Sequence, residues 1–205
     1  MADKTPATAQ APSALNPKEW ANPTAAGLVA LAVACFCFFA LLMGFVDKTA
    51  ESTALPLMGC WLLGGFVVQL VVALLDLKGG NHAGGNTFLF FAAFFMLAGG
   101  LEMFFKAQGG MDTRIDGWAW AALTLVLWSW TPAFLKKFNL LSCVILALDV
   151  ALPFISLIDM GVLTPTLAPI PAIALLVSGL FGVYLSGTIV VNNAYGKNKY
   201  PIIGK

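Results

Sequence analysis

Long uncharged, apolar stretches alternate with short polar segments along most of the chain. The stretches cover residues 20–46, 52–75, 83–101, 117–135, 160–196 and a sixth, 138–158, which only Asp149 interrupts. A helix that crosses the hydrocarbon core of a bilayer, roughly 30 Å thick, needs about 20 residues. Each stretch therefore predicts one membrane crossing.

The apolar pattern also distinguishes helices from the strands of a membrane barrel. Barrel strands alternate apolar and polar residues, whereas runs such as FLFFAAFFMLAGGL do not alternate. Pro165, Pro169 and Pro171 crowd the first third of the last stretch, so its helix is expected to begin near residue 170. The pattern predicts an all-α, polytopic membrane protein. Its six helices are expected over about 24–46, 54–75, 86–105, 117–135, 139–160 and 170–192.

Composition supports this class of protein and suggests a simple organisation. Of the 205 residues, 60% are hydrophobic and 10% are charged, whereas a soluble domain carries about 25% charged residues. The net charge of +1 provides no basic patch for nucleic acid. Residues 1–21, rich in Pro, Ala and Thr, are expected to form a disordered cytoplasmic tail. We expect a six-helix membrane domain, 22–195, and a cytoplasmic C-terminal tail, 196–205, to follow it.

The basic residues predict the orientation of the chain. With the N-terminus in the cytoplasm, cytoplasmic segments hold 8 of the 11 basic residues, and Lys48, Lys106 and Arg114 lie outside. Cytoplasmic loops of membrane proteins carry an excess of Lys and Arg. We therefore expect a multi-pass protein of the cell membrane with both termini in the cytoplasm.

The sequence offers no pattern typical of an enzyme or a metal centre. The lone His82 lies in a predicted loop, with no nucleophile–base set around it. The spacing of the four cysteines is typical of neither a disulfide framework nor a metal site, so they are expected to be small buried packing residues. We expect no catalysis, cofactor or metal.

Three asparagines precede helices that start on the cytoplasmic side. Asn22, followed by Pro23, precedes the first helix, Asn86 the third and Asn139 the fifth. Asparagine caps a helix by accepting from a free backbone N–H, and proline at the first helical position loses no hydrogen bond. Each capped N-terminus carries about half a positive charge. Three of them together predict an anion-attracting entrance, which includes the adjacent residues Thr24, Gly27 and Thr87.

Nine or ten residues from each cap, at about 1.5 Å per residue, reach the middle of the bilayer. Leu31, Met96, and Leu148 with its neighbour Ala147 lie at that depth. If the three helices line one path, these residues form its constriction. Ordinary core or lipid contacts are the alternative interpretation.

Four polar or charged residues inside or at the ends of the predicted helices need a separate explanation. A carboxylate at the position of Asp149 costs on the order of 2.5–3.5 kcal/mol in the membrane, so it is a candidate proton-carrying or charged site or a hydrogen-bonded structural acid. Gln69 fits path lining and interhelical hydrogen bonding equally well. Glu102 lies four residues before Lys106, a spacing that favours a surface ion pair.

Motifs along the chain resemble those of the acetate uptake transporter family, the YaaH/SatP-like succinate–acetate permeases. NPTAAGL at residues 22–28 resembles the signature NPAPLGL, although TAA replaces part of it. GGFVVQLVVALLDLKGGN is similar to the second-helix pattern, with Gly65, Gln69 and Asp76 at matching spacing. GNTF and SGLFGVYLSGTIVVNNAYGKNKYPI resemble the start of the third helix and the last helix with its tail.

The resemblance implies a six-helix protomer that forms a hexamer, with one path per protomer for acetate and sometimes succinate. It implies an entrance at the Asn-Pro motif and a constriction of two aromatics and a leucine. Those positions fall on Leu31, Met96 and about Ala147–Leu148, so both aromatics are replaced here.

The sequence therefore leaves three functions to compare. A channel or transporter for small monocarboxylates, above all acetate, agrees with both the caps and the resemblance. An aliphatic constriction also suits a channel for a neutral solute such as urea, an amide or ammonia. A membrane sensor or scaffold would need a sizeable extramembrane surface, and the predicted loops are too short to supply one.

Overall fold

The structure is a computed structural model that describes residues 21–47 and 53–202. This part of the chain is helical and contains no strand, which confirms the predicted fold class. Six helices are long and apolar enough to cross a membrane. They are α1 (Thr24–Leu42), α2 (Ala54–Lys78), α3 (His82–Lys106), α4 (Arg114–Leu135), α5 (Leu140–Asp159) and α6 (Pro169–Tyr195). Residues 1–20 of the predicted disordered tail lie outside the described chain.

The third helix begins earlier than predicted. Asn81 is its N-cap, because its side chain accepts from Gly84 N at 3.0 Å. Asn86 instead lies inside the helix, exposed, and its Nδ2 donates to His82 O at 2.8 Å. The prediction that Asn86 caps this helix is therefore wrong.

The reason for this error is the pair Gly84–Gly85, which is typical of a loop but is helical here. A Cβ on Gly84 would lie 2.9 Å from Asp76 Oδ2, and one on Gly85 would lie 2.6 Å from Leu77 Cγ. Only glycine therefore allows the first turn of α3 to pack this closely against the end of α2.

A π-helical segment lies in the middle of α3. Phe91–Ala98 forms this segment between the α-helical parts His82–Phe90 and Gly99–Lys106. A π-helix closes its hydrogen bonds over five residues instead of four. Residues from this segment onward therefore point in other directions around the helix axis than in a continuous α-helix. Met96 consequently faces α2, where a Cβ on Gly65 would lie 2.9 Å from Met96 Sδ.

Small and hydroxyl residues of α6 allow close packing at the centre of the bundle. Ser186 Oγ donates to Ala25 O of α1 at 3.0 Å, and Ser178 Oγ donates to Val144 O of α5 at 3.1 Å. Between them, a Cβ on Gly182 would meet Leu28 O at 3.4 Å. Packing and interhelical hydrogen bonds of this kind hold helices together in lipid.

The two ends of the bundle differ in their polar groups. Thr24, Asn81 and Asn139, at the starts of α1, α3 and α5, line one cavity, and we call this end the N face. At the opposite end, Lys106 Nζ lies 3.2 Å from Glu102 Oε2, as predicted, and also 2.7 Å from Asp116 Oδ2. The second contact ties the end of α3 to the start of α4.

Candidate functional site

A cavity of about 500 Å³ opens among α1, α3, α4 and α5 at the N face. Its polar lining lies close to this face and is supplied by Thr24, Asn81, Thr87, Lys136, Lys137 and Asn139. Its deeper lining is apolar and includes Leu28, Leu31, Phe88, Phe91, Val144 and Ile145. The cavity therefore joins a polar, positively charged opening to an apolar end inside the bundle.

Three helix N-termini lie around this opening. Asn139 caps α5 with a capping box, in which its Oδ1 accepts from Leu141 N at 2.9 Å and Ser142 Oγ accepts from Asn139 N at 3.1 Å. The cap predicted for Asn139 is thus confirmed. Pro23, expected as the first helical residue, takes the cap position of α1, so the cap predicted at Asn22 is wrong by one residue, although Asn22 Oδ1 accepts from Thr24 N at 2.9 Å.

Asn81, which sequence reasoning missed, takes the third place at the opening. Its Nδ2 donates to Asp76 Oδ2 at 3.1 Å while its Oδ1 caps α3. The buried Asp76 carboxyl thus orients the cap, and it is also hydrogen-bonded by Thr24. The signal in the sequence was Asp76 followed five residues later by Asn81, at the end of one helix and the start of the next.

The predicted entrance residues divide into two groups. Thr24, Thr87 and Asn139 line the cavity, and Asn22 lies beside it in the lining of a smaller cavity of about 280 Å³. Gly27 lies behind the wall, where its missing side chain makes room for Phe88: a Cβ there would lie 2.6 Å from the ring. The exposed Asn86 does not belong to the cavity lining.

Besides Asp149 Oδ1, two buried side-chain polar atoms lack hydrogen-bond partners in the described chain. One is Thr87 Oγ1, on the cavity wall. The other is Gln69 Oε1, since Gln69 Nε2 makes the single long contact of this side chain, to Gly27 O at 3.4 Å. A buried polar group without a partner costs free energy unless water or a ligand satisfies it. Thr87 is therefore the side chain best placed to bind a molecule in the cavity.

The predicted constriction is only partly found in the cavity wall. Leu31 lines the deep end, whereas Met96, Ala147 and Leu148 are absent from the lining. Met96 and Leu148 are fully buried in the core, and Ala147 is half-buried. The rotation imposed by the π-helical segment accounts for Met96.

Aromatic residues that sequence reasoning missed close the bundle beyond the cavity. Phe91, on the cavity wall, lies 5.8 Å between ring centroids from Phe95. Phe95 stacks on Phe38 at 5.0 Å and meets Trp120 edge-on at 5.6 Å. The run FLFFAAFFML contained these residues, but an α-helical count cannot identify which of them face inward across a π-helix.

Asp149 lies away from the cavity lining, between α4 and α5. Its Oδ2 is 2.7 Å from Thr131 Oγ1, which also donates to Leu127 O at 3.0 Å. Trp128 Nε1 donates to Asp149 O at 3.1 Å. Because the Thr131 hydroxyl has a single hydrogen, which it donates to Leu127 O, its second contact requires a protonated Asp149 Oδ2 as donor, while Asp149 Oδ1 has no partner in the described chain.

The cysteines form no disulfide, and among the described residues no group of three or more His, Cys, Asp or Glu could hold a metal ion. Cys35 is fully buried, as expected of a packing residue, whereas Cys60 is exposed on α2. The prediction of small buried thiols is therefore wrong for Cys60. This residue lies in an apolar run, but on a face of α2 that points out of the bundle.

No protein-family model matches the sequence, and no curated protein matches it. The structure is similar to that of the bacterial acetate channel SatP, with a TM-score of 0.77 and 19% sequence identity. The superposition covers 90% of this chain and 99% of that channel. At this level of identity the likeness shows the fold, and the resemblance found in the sequence motifs thus holds for the architecture of nearly the whole described chain.

Proposed function

We propose that the protein is a membrane channel for small monocarboxylates, above all acetate, and sometimes succinate. The observation that carries this proposal is the cavity, whose opening is surrounded by two lysines and three helix N-termini and whose end is apolar. Such an opening attracts an anion, and such an end forces it to shed water. The common fold with a solved acetate channel supports the same function.

In this proposal the carboxylate enters past Asn22, Pro23, Thr24 and Asn139. Lys136 and Lys137 raise its local concentration because they line the cavity with exposed ammonium groups. Thr87 Oγ1 then donates a hydrogen bond that replaces one lost to water. Gln69, one helix away, holds the backbone of α1 through Gly27 O.

The constriction of this path begins at Leu31 and Phe91. We propose that Phe91 supplies the inward group of α3 at the depth where Met96 was expected, and that Met96, Ala147 and Leu148 support it from behind. Passage then selects by size, because neither Leu31 nor Phe91 offers a hydrogen bond. Asp149 acts as a neutral structural acid in this scheme and carries no proton along the path.

The setting of the channel follows from the same reasoning. We propose that the N face is cytoplasmic, that the protein resides in the cell membrane, and that it assembles as a hexamer. Large exposed apolar residues on the outer surface, among them Trp61 at 63% and Val67 at 59%, suit contact with lipid or with other copies.

A channel for neutral solutes is the second candidate. One observation favours it: the aromatic residues Phe38, Phe95 and Trp120, which close the bundle beyond the cavity, carry no charge that would stabilise an ion. An uncharged amide could hydrogen-bond to Thr87 as well as a carboxylate does. The two functions differ in which solutes pass.

Uptake into liposomes tests the proposal. Liposomes that contain the purified protein should take up labelled acetate faster than succinate or lactate. They should take up urea no faster than empty liposomes do. Leu31→Trp should block acetate because it fills the deep end of the cavity. Val29→Trp, two residues away at a position 49% exposed on the outside of α1, is the matched control and should transport normally. Urea uptake without acetate uptake would favour the second candidate instead.

A further inference from the structure

The end of the chain folds back along α6. Gly196 ends this helix with a left-handed backbone, φ 61°. Residues 197–202, which we call the C-terminal strap, then return beside its last turns. Asn192 Oδ1 accepts from Lys199 N at 2.8 Å and from Tyr200 N at 2.9 Å, and its Nδ2 donates to Tyr200 O at 2.9 Å. One side chain thus holds three backbone groups of the strap.

Tyrosine side chains hold the strap at two further points. Tyr184 Oη donates to Pro201 O at 2.9 Å, and the Tyr184 ring stacks on Tyr200 with centroids 6.4 Å apart. Lys199 Nζ lies 5.0 Å from the centre of the Tyr195 ring. The strap is therefore tied to α6 at Asn192, about one turn before the helix end at Tyr195, and at Tyr184, about three turns before it.

The strap ends at the N face. Pro201 and Ile202 line the smaller cavity of about 280 Å³. On its other side lie Asn22, Thr24, Asn81, Asn139 and Leu141. All of these except Asn22 also line the larger cavity, so the strap borders the opening proposed for the substrate.

We propose that the C-terminal strap is a lid on the smaller cavity, along the Asn22 side of this opening, and limits the size of the solutes that enter by that side. Its role in passage rests on the proposed function, whereas its role as a cover does not. The strap can be released because its contacts are at the surface: Tyr200 and Ile202 are each 45% exposed. Loss of one hydrogen bond shifts the equilibrium between the bound and the released strap by about fivefold.

Thiol accessibility tests the cover directly. Thr188→Cys places a reporter in the smaller cavity, where Thr188 is 3% exposed. Ala83→Cys places a control reporter in the larger cavity, away from the strap. The full-length protein is treated in detergent with a polar maleimide, and mass spectrometry follows each site, so the native cysteines stay in place.

Asn192→Ala, which removes three hydrogen bonds to the strap, should raise the reaction rate at the Thr188→Cys site by about fivefold or more. Tyr184→Phe should give a smaller rise, and deletion of residues 197–205 the largest. Tyr195→Phe, which keeps the ring beneath Lys199, is the matched control and should change nothing. The rate at the Ala83→Cys site should stay constant. An unchanged rate at Thr188→Cys in both Asn192→Ala and the deletion would overturn the proposal.

Liposome uptake then tests the size limit. Release of the strap should raise uptake of lactate and butyrate relative to acetate. A constant ratio, with the Thr188→Cys site newly reactive, would overturn the size limit. If acetate fails to enter even with the strap intact, the proposed function fails, and thiol accessibility still decides whether the strap covers the smaller cavity.

Discussion

Thr87 combines burial, a position on the cavity wall and a hydroxyl without a partner in the described chain. Buried hydroxyls elsewhere in the bundle are satisfied, as in Thr124, whose Oγ1 donates to Trp120 O at 2.7 Å. A group that costs stability and serves no internal contact is typical of a binding site. At the scale of single residues, this contrast distinguishes Thr87, the proposed substrate contact, from a packing residue such as Thr124.

Thr87→Val should therefore weaken transport without weakening the fold. Loss of one hydrogen bond to the substrate should raise the half-saturation concentration for acetate by about fivefold. The melting temperature should stay the same or rise, because valine has no unsatisfied hydroxyl. Thr124→Val is the matched control, with normal transport and a lower melting temperature. A loss of stability in Thr87→Val would show that its hydroxyl is structural.

Asp149 leads to a second prediction at this scale. A protonated carboxyl should give an infrared band that disappears in Asp149→Asn. Acetate uptake in this variant should keep the pH dependence of the wild type, because Asp149 lies off the cavity wall. The absence of a difference band, or a changed pH profile, would mean that the carboxylate is ionised or takes part in transport.

At the scale of the helices, the apolar stretches were sufficient to predict all six crossings, since lipid demands about 20 apolar residues for each. Leu31 lies at the deep end of the cavity, whereas Met96 lies outside its lining, and the constriction itself stays a proposal. A count from the cap assumes one α-helical rise, whereas α3 starts at His82 and contains a π-helical segment. The hydrophobic pattern does not reveal that segment, because nearly every position in and around it is apolar.

Close helix contacts make a testable prediction about two glycines. A Cβ on Gly117 of α4 would lie 2.5 Å from Met160 N and 2.7 Å from Ser156 O, where backbone cannot yield easily. Gly117→Ala should destabilise the protein by roughly 1–3 kcal/mol, seen as a lower melting temperature. Gly64→Ala, where a Cβ meets nothing within 4 Å, should be neutral or slightly stabilising. Equal melting temperatures for the two variants would contradict the tight packing of α4 on α5.

At the scale of the whole molecule, the two ends carry different charges. The N face carries Lys136 and Lys137 on the cavity wall, whereas the opposite end neutralises Lys106 between Glu102 and Asp116. The count of basic residues alone predicted which end faces the cytoplasm. It could not predict the cavity, because that depends on how four helices separate at the N face.

Labelling of intact cells should confirm this orientation. Met111→Cys lies in the loop between α3 and α4 and should react with a membrane-impermeant maleimide from outside, since Met111 is 54% exposed. His82→Cys, at the N face, should react only after the cells are permeabilised. The parent chain supplies the background from the native thiols. The reverse pattern would place the N face outside.

Uptake of labelled acetate into liposomes under a potassium diffusion potential is the most direct measurement of anion passage. If acetate crosses as an anion through this protein, an inside-positive potential should accelerate uptake and an inside-negative potential should slow it. The Leu31→Trp variant should lose both the uptake and its dependence on potential. Acetate uptake no faster than in empty liposomes at either potential would contradict the proposed channel.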